Sequence, residues 1–238
     1  MAKRTKPICF AYCVTGDKYE AMAKASADSL RQFFPKADIC LIPDSSIPTE
    51  IKEFCESNKA IFRRKFASAA SAALARLAIP LMPEFDAYRR VVYLDADTKV
   101  VSSDVAELSS ISLGDNETGA APDVMPNRFT RPLLLRKIFN RPVQSTYCNT
   151  GVVVFNLAKI AREEWRVRLS TMLEAMKANK ECFRYQDQDL LNGFCKVAVL
   201  PSRFNCFARW HRDGLVKSPV IIHYAGGNRA LYDKLQEG

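Results

Sequence analysis

Arg90-Val91-Val92-Tyr93-Leu94-Asp95-Ala96-Asp97-Thr98 is an apolar strand that runs straight into a pair of carboxylates. Valine, tyrosine and leucine in so short a run mark a buried strand. Two carboxylates one residue apart repel each other unless a cation lies between them. Oxygen ligands with open coordination positions suit Mg²⁺ or Mn²⁺ carrying a diphosphate. An exposed acidic turn explains a lone Asp-x-Asp equally well, so the surrounding elements have to decide.

Towards the N-terminus, Ile8–Val14 is a short strand ending in the turn Thr15-Gly16-Asp17. Tyr19, Met22, Ala23, Ser26, Leu30, Phe33 and Phe34 then recur at helical spacing until Pro35. Asp38–Ile42 reads as a strand, Thr49–Glu56 as a short helix and Ala60–Phe62 as a third strand. Ser68–Leu81 is an alanine-rich helix interrupted near Pro80. Beyond the carboxylates, Ser102–Thr146 mixes short elements and loops, Gly151–Asn156 is a strand and Leu157–Ala178 a long amphipathic helix. Asp187–Phe194 reads as a short helix, Val197–Leu200 and Val220–Tyr224 as strands, and Asn228–Leu235 as a closing helix. This alternation predicts an α/β fold with a Rossmann-like, mostly parallel sheet flanked by helices. No repeat or low-complexity linker interrupts it, so residues 1–238 read as one domain. Ligands bind such sheets beyond the carboxyl ends of the strands.

Composition narrows the class. With 48% apolar and 26% charged residues the chain is globular rather than disordered. No apolar run reaches the roughly 20 residues that cross a bilayer, and no signal-peptide core follows the basic Met1–Lys6. A cytoplasmic location is expected. The eight cysteines form no Cys-x-x-Cys pair and read as buried free thiols, not as disulfides or a zinc site. A net charge of +9 suits phosphate, acidic glycans, anionic lipid or nucleic acid alike. No helix-turn-helix, RNP-like or zinc-finger pattern is present, so no nucleic-acid partner is expected.

Three further stretches carry candidate chemistry. Val220-Ile221-Ile222-His223-Tyr224-Ala225-Gly226-Gly227-Asn228-Arg229 ends a buried strand on a histidine, followed by glycines and an arginine. Glycines let backbone amides approach phosphate, and arginine pairs with it bidentately. Tyr147-Cys148-Asn149-Thr150-Gly151 opens a strand with an amide that either binds sugar hydroxyls or caps a turn. In Tyr185-Gln186-Asp187-Gln188-Asp189-Leu190-Leu191-Asn192, Asp187 either caps a helix or grips a sugar with Gln188.

Taken together, in this order and spacing, these stretches resemble the family-8 glycosyltransferases, which include glycogenin and bacterial lipopolysaccharide glucosyl- and galactosyltransferases. The resemblance runs from about Ile8 to Leu231, and its most specific part is Tyr185–Asn192 followed by Ser202-Arg203-Phe204-Asn205. It implies a GT-A fold and a Mn²⁺-dependent (or Mg²⁺-dependent), retaining transfer of a hexose from UDP-glucose or UDP-galactose. Asp95 and Asp97, flanking Ala96, match the metal-binding Asp-x-Asp, and His223 the third ligand. Gly226 and Arg229 match the Gly and Lys of the diphosphate motif His-x-x-Gly-x-x-Lys. Cys13, Thr15 and Tyr19 fall where uridine is held, and Arg76 matches a donor-binding arginine. Asn149, with Thr150 beside it, and Asp187 and Gln188 match residues around the transferred sugar. Arg229 departs from the family's lysine; it keeps the charge but not the ammonium's geometry.

The acceptor is left open among glycan, lipid-linked and protein classes, self-glycosylation on tyrosine included. The lipopolysaccharide enzymes carry a basic, aromatic tail that attaches them to membrane. The sequence ends soon after the diphosphate motif, so a peripheral membrane contact loses its usual support. Arg128, Arg131, Arg136, Lys137 and Arg141 within Met125–Thr146 read either as a basic rim favouring an acidic acceptor or, more simply, as a solvated surface. Two rival readings stand beside the transferase. Asp95-Ala96-Asp97-Thr98 also fits the Asp-x-Asp-x-Thr of haloacid-dehalogenase phosphatases with Asp95 as nucleophile, though that motif normally lies near the N-terminus and the later acidic motif is missing. The other is a nucleotide-sugar-binding protein without catalysis.

Overall fold

The computed structural model describes residues 4–57, 70–123, 146–179, 182–183 and 185–225. The expected strand at Ala60–Phe62 and closing helix at Asn228–Leu235 lie outside these. Among the described residues, β1 (Lys6–Val14), β2 (Ile39–Pro43), β3 (Tyr88–Leu94), β5 (Thr118–Pro122), β6 (Cys148–Phe155) and β7 (Val197–Val199) form one sheet in the order β2-β1-β3-β6-β5-β7. β1 is parallel to β2 and β3, and β5 to β7; β6 runs antiparallel to both its neighbours. The sheet is therefore mostly parallel, as expected, with one reversed strand. A smaller sheet, β4-β9-β8, joins β4 (Thr98–Val100), β8 (Cys206–Phe207) and β9 (Ile221–His223).

Side chains of a strand alternate between the sheet's two faces, and here both faces are apolar. Cys9, Ala11 and Cys13 of β1, Val91 and Tyr93 of β3, and Val153 and Phe155 of β6 join one core. Ile8, Phe10, Tyr12, Val14, Val92, Leu94, Val152 and Val154 join the other. Near-continuous apolar strands are what a sheet covered on both sides requires. On the second face, α1 (Asp17–Phe33) lays down Ala23, Ala27 and Leu30. On the first, α4 (Arg162–Ala178) buries Trp165, Leu169, Met172, Leu173 and Met176. The shorter helices are α2 (Thr49–Ser57), α3 (Ala70–Ala75), α5 (Asp187–Phe194) and α6 (Ala208–Arg212).

Two expected helices differ in extent. The run from Leu157 starts as a turn, in which the Asn156 carbonyl accepts from the amides of Lys159 and Ile160, and the helix begins only at Arg162. Glu163 and Glu164 in its first turn suit the positive end of the helix dipole. The alanine-rich segment gives α3 and then a 3₁₀ stretch, Arg76–Leu81. Pro80 lacks an amide hydrogen, which suits the tighter, shorter coil. Cys9, Cys13, Cys148, Cys195 and Cys206 are buried, as expected, whereas Cys40, Cys55 and Cys182 are half-buried rather than fully enclosed.

Trp165 ties α4 to the sheet. Its indole donates to the Leu77 carbonyl at 2.8 Å and its ring meets Phe155 edge-on, with centroids 6.0 Å apart. Trp165→Ala is expected to cost about 3–5 kcal/mol of unfolding free energy, measured by urea denaturation.

Candidate active site

The reversed strand creates the site. Because β6 runs against β3, the start of β6 lies beside the end of β3: Leu94 pairs with Val152, and the Asp95 amide donates to the Gly151 carbonyl at 2.8 Å. Asp95, Asn149 and Thr150 thus share one end of the sheet. The smaller sheet brings the histidine there, since Thr98 on β4 pairs with His223 on β9. Helix α5 is fastened to the same edge by Asn192, whose side chain brackets the Cys148 backbone: its Oδ1 accepts from the Cys148 amide and its Nδ2 donates to the Cys148 carbonyl. Asp187 and Gln188, one helical turn earlier, are held beside Thr150 and Asn149.

The carboxylates and the imidazole converge. One ligand atom each from Asp95, Asp97 and His223 lies within 4.8 Å of the others. His223 Nε2 is 3.3 Å from Asp97 Oδ1 and 3.5 Å from Asp95 Oδ2. The other Asp95 oxygen is already engaged, accepting from the Tyr93 hydroxyl at 2.7 Å and facing Arg76 Nη2 at 3.0 Å. Two carboxylate oxygens and an imidazole nitrogen facing one space are a donor set suited to Mn²⁺ or Mg²⁺, so the residues fit the expected ion. Burial alone would lower the His223 pKa, but the hydrogen bond to Asp97 and the charges of Asp97 and Asp95 outweigh it and raise it.

Arg76 is the electrostatic centre. Buried at 8% exposure, it reaches Asp95 with Nη2 and Asp187 with Nε at 3.3 Å. Its Nη1 donates to the Thr150 carbonyl at 2.8 Å, and its guanidinium lies 4.3 Å from the centroid of the Tyr93 ring. Burial would lower its pKa, yet Asp187 and Asp95 raise it, so it stays charged. Burial pushes the Asp187 pKa up to about 6, against the opposing pull of Arg76 and the Thr150 hydroxyl. Arg76 and the Thr150 hydroxyl are its partners.

Other expected residues fall as follows. Tyr19 and Ala96 pack against the cluster of Met22, Ala208, Ile222 and Tyr224, which joins the first turn to the Asp-x-Asp loop. Thr15 is half-exposed after β1, before Gly16 at φ +77°. Cys13 belongs to the apolar core, and burial pushes its thiol up to about 12, so it offers a ligand little side-chain surface and no thiolate. Gly226, Arg229 and the basic residues from Arg128 to Arg141 lie outside the described residues. Sequence reasoning missed Asp123 and gave no role to Asn205. Asp123 is a buried carboxylate at the end of β5 that accepts from Gln188 Nε2 at 2.6 Å. No local pattern marks it, because only the sheet order brings β5 next to β6. Gln186, directly before Asp187, holds φ at +45°, a conformation costing a side-chain-bearing residue about 1–3 kcal/mol.

Gly151 is where backbone and site meet. A Cβ there would collide with the His223 ring and lie 3.0 Å from Asn149 Oδ1. Gly151→Ala is expected to displace His223 and weaken Mn²⁺ binding by about 10–100-fold while the chain stays folded. Calorimetric titration of Mn²⁺ alongside circular dichroism measures both.

Comparison with known proteins agrees with this geometry. The model of glycosyl transferase family 8 matches residues 2–230. A putative glycosyltransferase of Haemophilus influenzae is 30% identical over 155 residues, 61% of this chain. The matched region spans 44% of that relative's length. Among solved structures, galactosyltransferase LgtC in complex with donor and acceptor sugar analogs superposes with a TM-score of 0.69 at 22% identity, covering 96% of this chain and 95% of its own. Mouse xyloside xylosyltransferase 1 gives a TM-score of 0.60 at 14% identity, over 92% of this chain and 97% of its own. The fold is GT-A, as the resemblance implied. The haloacid-dehalogenase and non-catalytic alternatives are not favoured, and the chain belongs to glycosyl transferase family 8.

Proposed function

We propose that this chain, as one glycosyltransferase domain, transfers a hexose, glucose or galactose, from a UDP-sugar to an acceptor with retention of configuration. The observation that carries the reading is the convergence of Asp95, Asp97 and His223 beside the polar cluster of Asn149, Thr150, Asp187 and Gln188. A Mn²⁺ or Mg²⁺ ion held by those three ligands would act as a Lewis acid on the diphosphate. Arg76 pairs with Asp95 and Asp187 and holds both in place. Gly226 and Arg229 of the diphosphate motif supply amides and positive charge to the leaving group, and the turn of Thr15 and Tyr19 holds uridine.

The side chains near the sugar argue against a covalent intermediate. Gln188 is a neutral amide whose Oε1 already accepts from Asn149 and the Thr150 amide, while its Nε2 donates to Asp123. Asp187 is held by Arg76 and the Thr150 hydroxyl. Their role is to bind sugar hydroxyls and exclude water. Front-face attack by the acceptor hydroxyl, with the leaving phosphate taking its proton, fits this arrangement best. Among the described residues no helix is long and apolar enough to cross a membrane.

The test is UDP release from a panel of UDP-hexoses with Mn²⁺ in the absence of acceptor. One of UDP-glucose and UDP-galactose is expected to turn over, and Asp97→Ala to lose roughly two orders of magnitude or more in rate. The rate should also fall as pH drops through the raised His223 pKa, because a proton on Nε2 displaces the metal. Undiminished turnover in Asp97→Ala would refute the metal assignment. UDP binding without turnover of any sugar would mark a nucleotide-sugar-binding protein.

A further inference from the structure

His223 is one end of a largely buried chain of hydrogen-bonded side-chain amides. Its Nδ1 lies 2.9 Å from Oδ1 of Asn205, a fully buried residue in the 3₁₀ segment Ser202–Asn205 that leads into β8. Asn205 Nδ2 donates to Asn149 Oδ1 at 2.8 Å. Asn149 Nδ2 donates to Gln188 Oε1 at 2.9 Å, and Gln188 Nε2 to Asp123 Oδ2 at 2.6 Å. Every amide donates in the same sense, away from Asp95 and Asp97 and towards Asp123.

That sense is pinned by groups that can act in only one way. Asp123 Oδ2 accepts from Gln188 Nε2. The Thr150 amide donates to Gln188 Oε1 at 3.3 Å, and the Gly151 amide to Asn149 Oδ1 at 2.8 Å. With Asn149 presenting its oxygen, Asn205 has to answer with its nitrogen, which turns its own oxygen to His223. An acceptor opposite Nδ1 calls for a hydrogen there. A neutral His223 then carries its lone pair on Nε2, the nitrogen facing Asp97 and Asp95. Free neutral imidazole prefers its hydrogen on Nε2, and two carboxylates beside Nε2 strengthen that preference. In that tautomer the ring donates to the carboxylates and cannot ligate a metal.

We propose that Asn205 is a positioning residue that holds His223 in the Nδ1–H tautomer, through an amide chain anchored on Asp123. The stacking of Phe207 on the His223 ring, with centroids 5.4 Å apart, limits the ring's tilt. The amide chain sets which nitrogen faces the carboxylates. Its value for coordination rests on the metal reading above; the tautomer itself does not.

The chain has two histidines, His211 and His223, the first exposed, so ¹⁵N-histidine labelling gives two rings to resolve. Long-range ¹H–¹⁵N spectra of the metal-free protein, at a pH where both imidazoles are neutral, read each tautomer directly. The wild type is expected to hold His223 as Nδ1–H. Asn205→Leu should move it to Nε2–H and weaken Mn²⁺ binding, followed by the paramagnetic resonance of free Mn²⁺, by about 10–100-fold. Asn205→Asp, which keeps an acceptor opposite Nδ1, should retain the tautomer and bind Mn²⁺ more tightly than Asn205→Leu. A wild-type His223 found as Nε2–H overturns the proposal without reference to any variant. So does Asn205→Leu with unchanged tautomer and Mn²⁺ affinity, or Asn205→Asp without the Nδ1–H form. Failure of the wild type to bind Mn²⁺ contradicts the metal reading instead, and the spectra still decide the role of Asn205.

Discussion

Negative charge gathered out of water has to be balanced where it stands, and here the balance begins with Arg76. Asp95, Asp97 and Asp187 crowd the end of one sheet, and Asp97 and Asp187 are nearly inaccessible. Carboxylates so placed would take up protons rather than pay desolvation and mutual repulsion. One guanidinium, itself buried, meets Asp95 with one nitrogen and Asp187 with another. Removing one partner of such a group leaves uncompensated buried charge, the costliest defect a core can carry. Asp97 and the second oxygen of Asp95 are served from the other side by His223. The site therefore has a guanidinium on its sheet side and, opposite, a space faced by Asp95, Asp97 and His223.

Backbone topology makes this crowding possible. Strands running one way would put the start of β6 at the far end of the sheet from Asp95. The reversal of β6 instead sets Asn149, Thr150 and Gly151 beside the carboxylates. It also makes Gly151 the point where a side chain would strike His223. A second polar layer stiffens the loop from behind: the Tyr12 hydroxyl meets Ser26, Ser26 meets Thr98, and Thr98 donates to the Asp95 carbonyl. These groups are buried and mutually satisfied, which favours one arrangement of the Asp-x-Asp turn over many.

How much of this is written locally differs by element. The apolar run Val91–Leu94 and the helical spacing from Tyr19 to Phe34 declare themselves, because burial on both faces or on one stripe leaves a periodic trace. The helix Asp187–Phe194 has the expected bounds. The start of α4 is less legible: Leu157 and Ile160 are as apolar as a helix face requires, but they pack as a turn before the helix begins. The reversal of β6 leaves no trace at all, since a strand's sequence carries no sign of its direction. The candidate ligands Asp95, Asp97 and His223 are legible from motif order. The residues that orient them are not. Asp123, Asn205 and Tyr93 are ordinary members of their segments until strand order and the second sheet bring them to the site.

On the proposed reading, Asp95, Asp97 and His223 form a divalent-metal site that holds a nucleotide diphosphate. Calorimetric titration of UDP into the purified protein, with Mn²⁺ and then with EDTA, addresses it most directly. Saturable one-site binding is expected with the metal and none once it is chelated. UDP binding of equal strength in EDTA, or no binding under either condition, would contradict it.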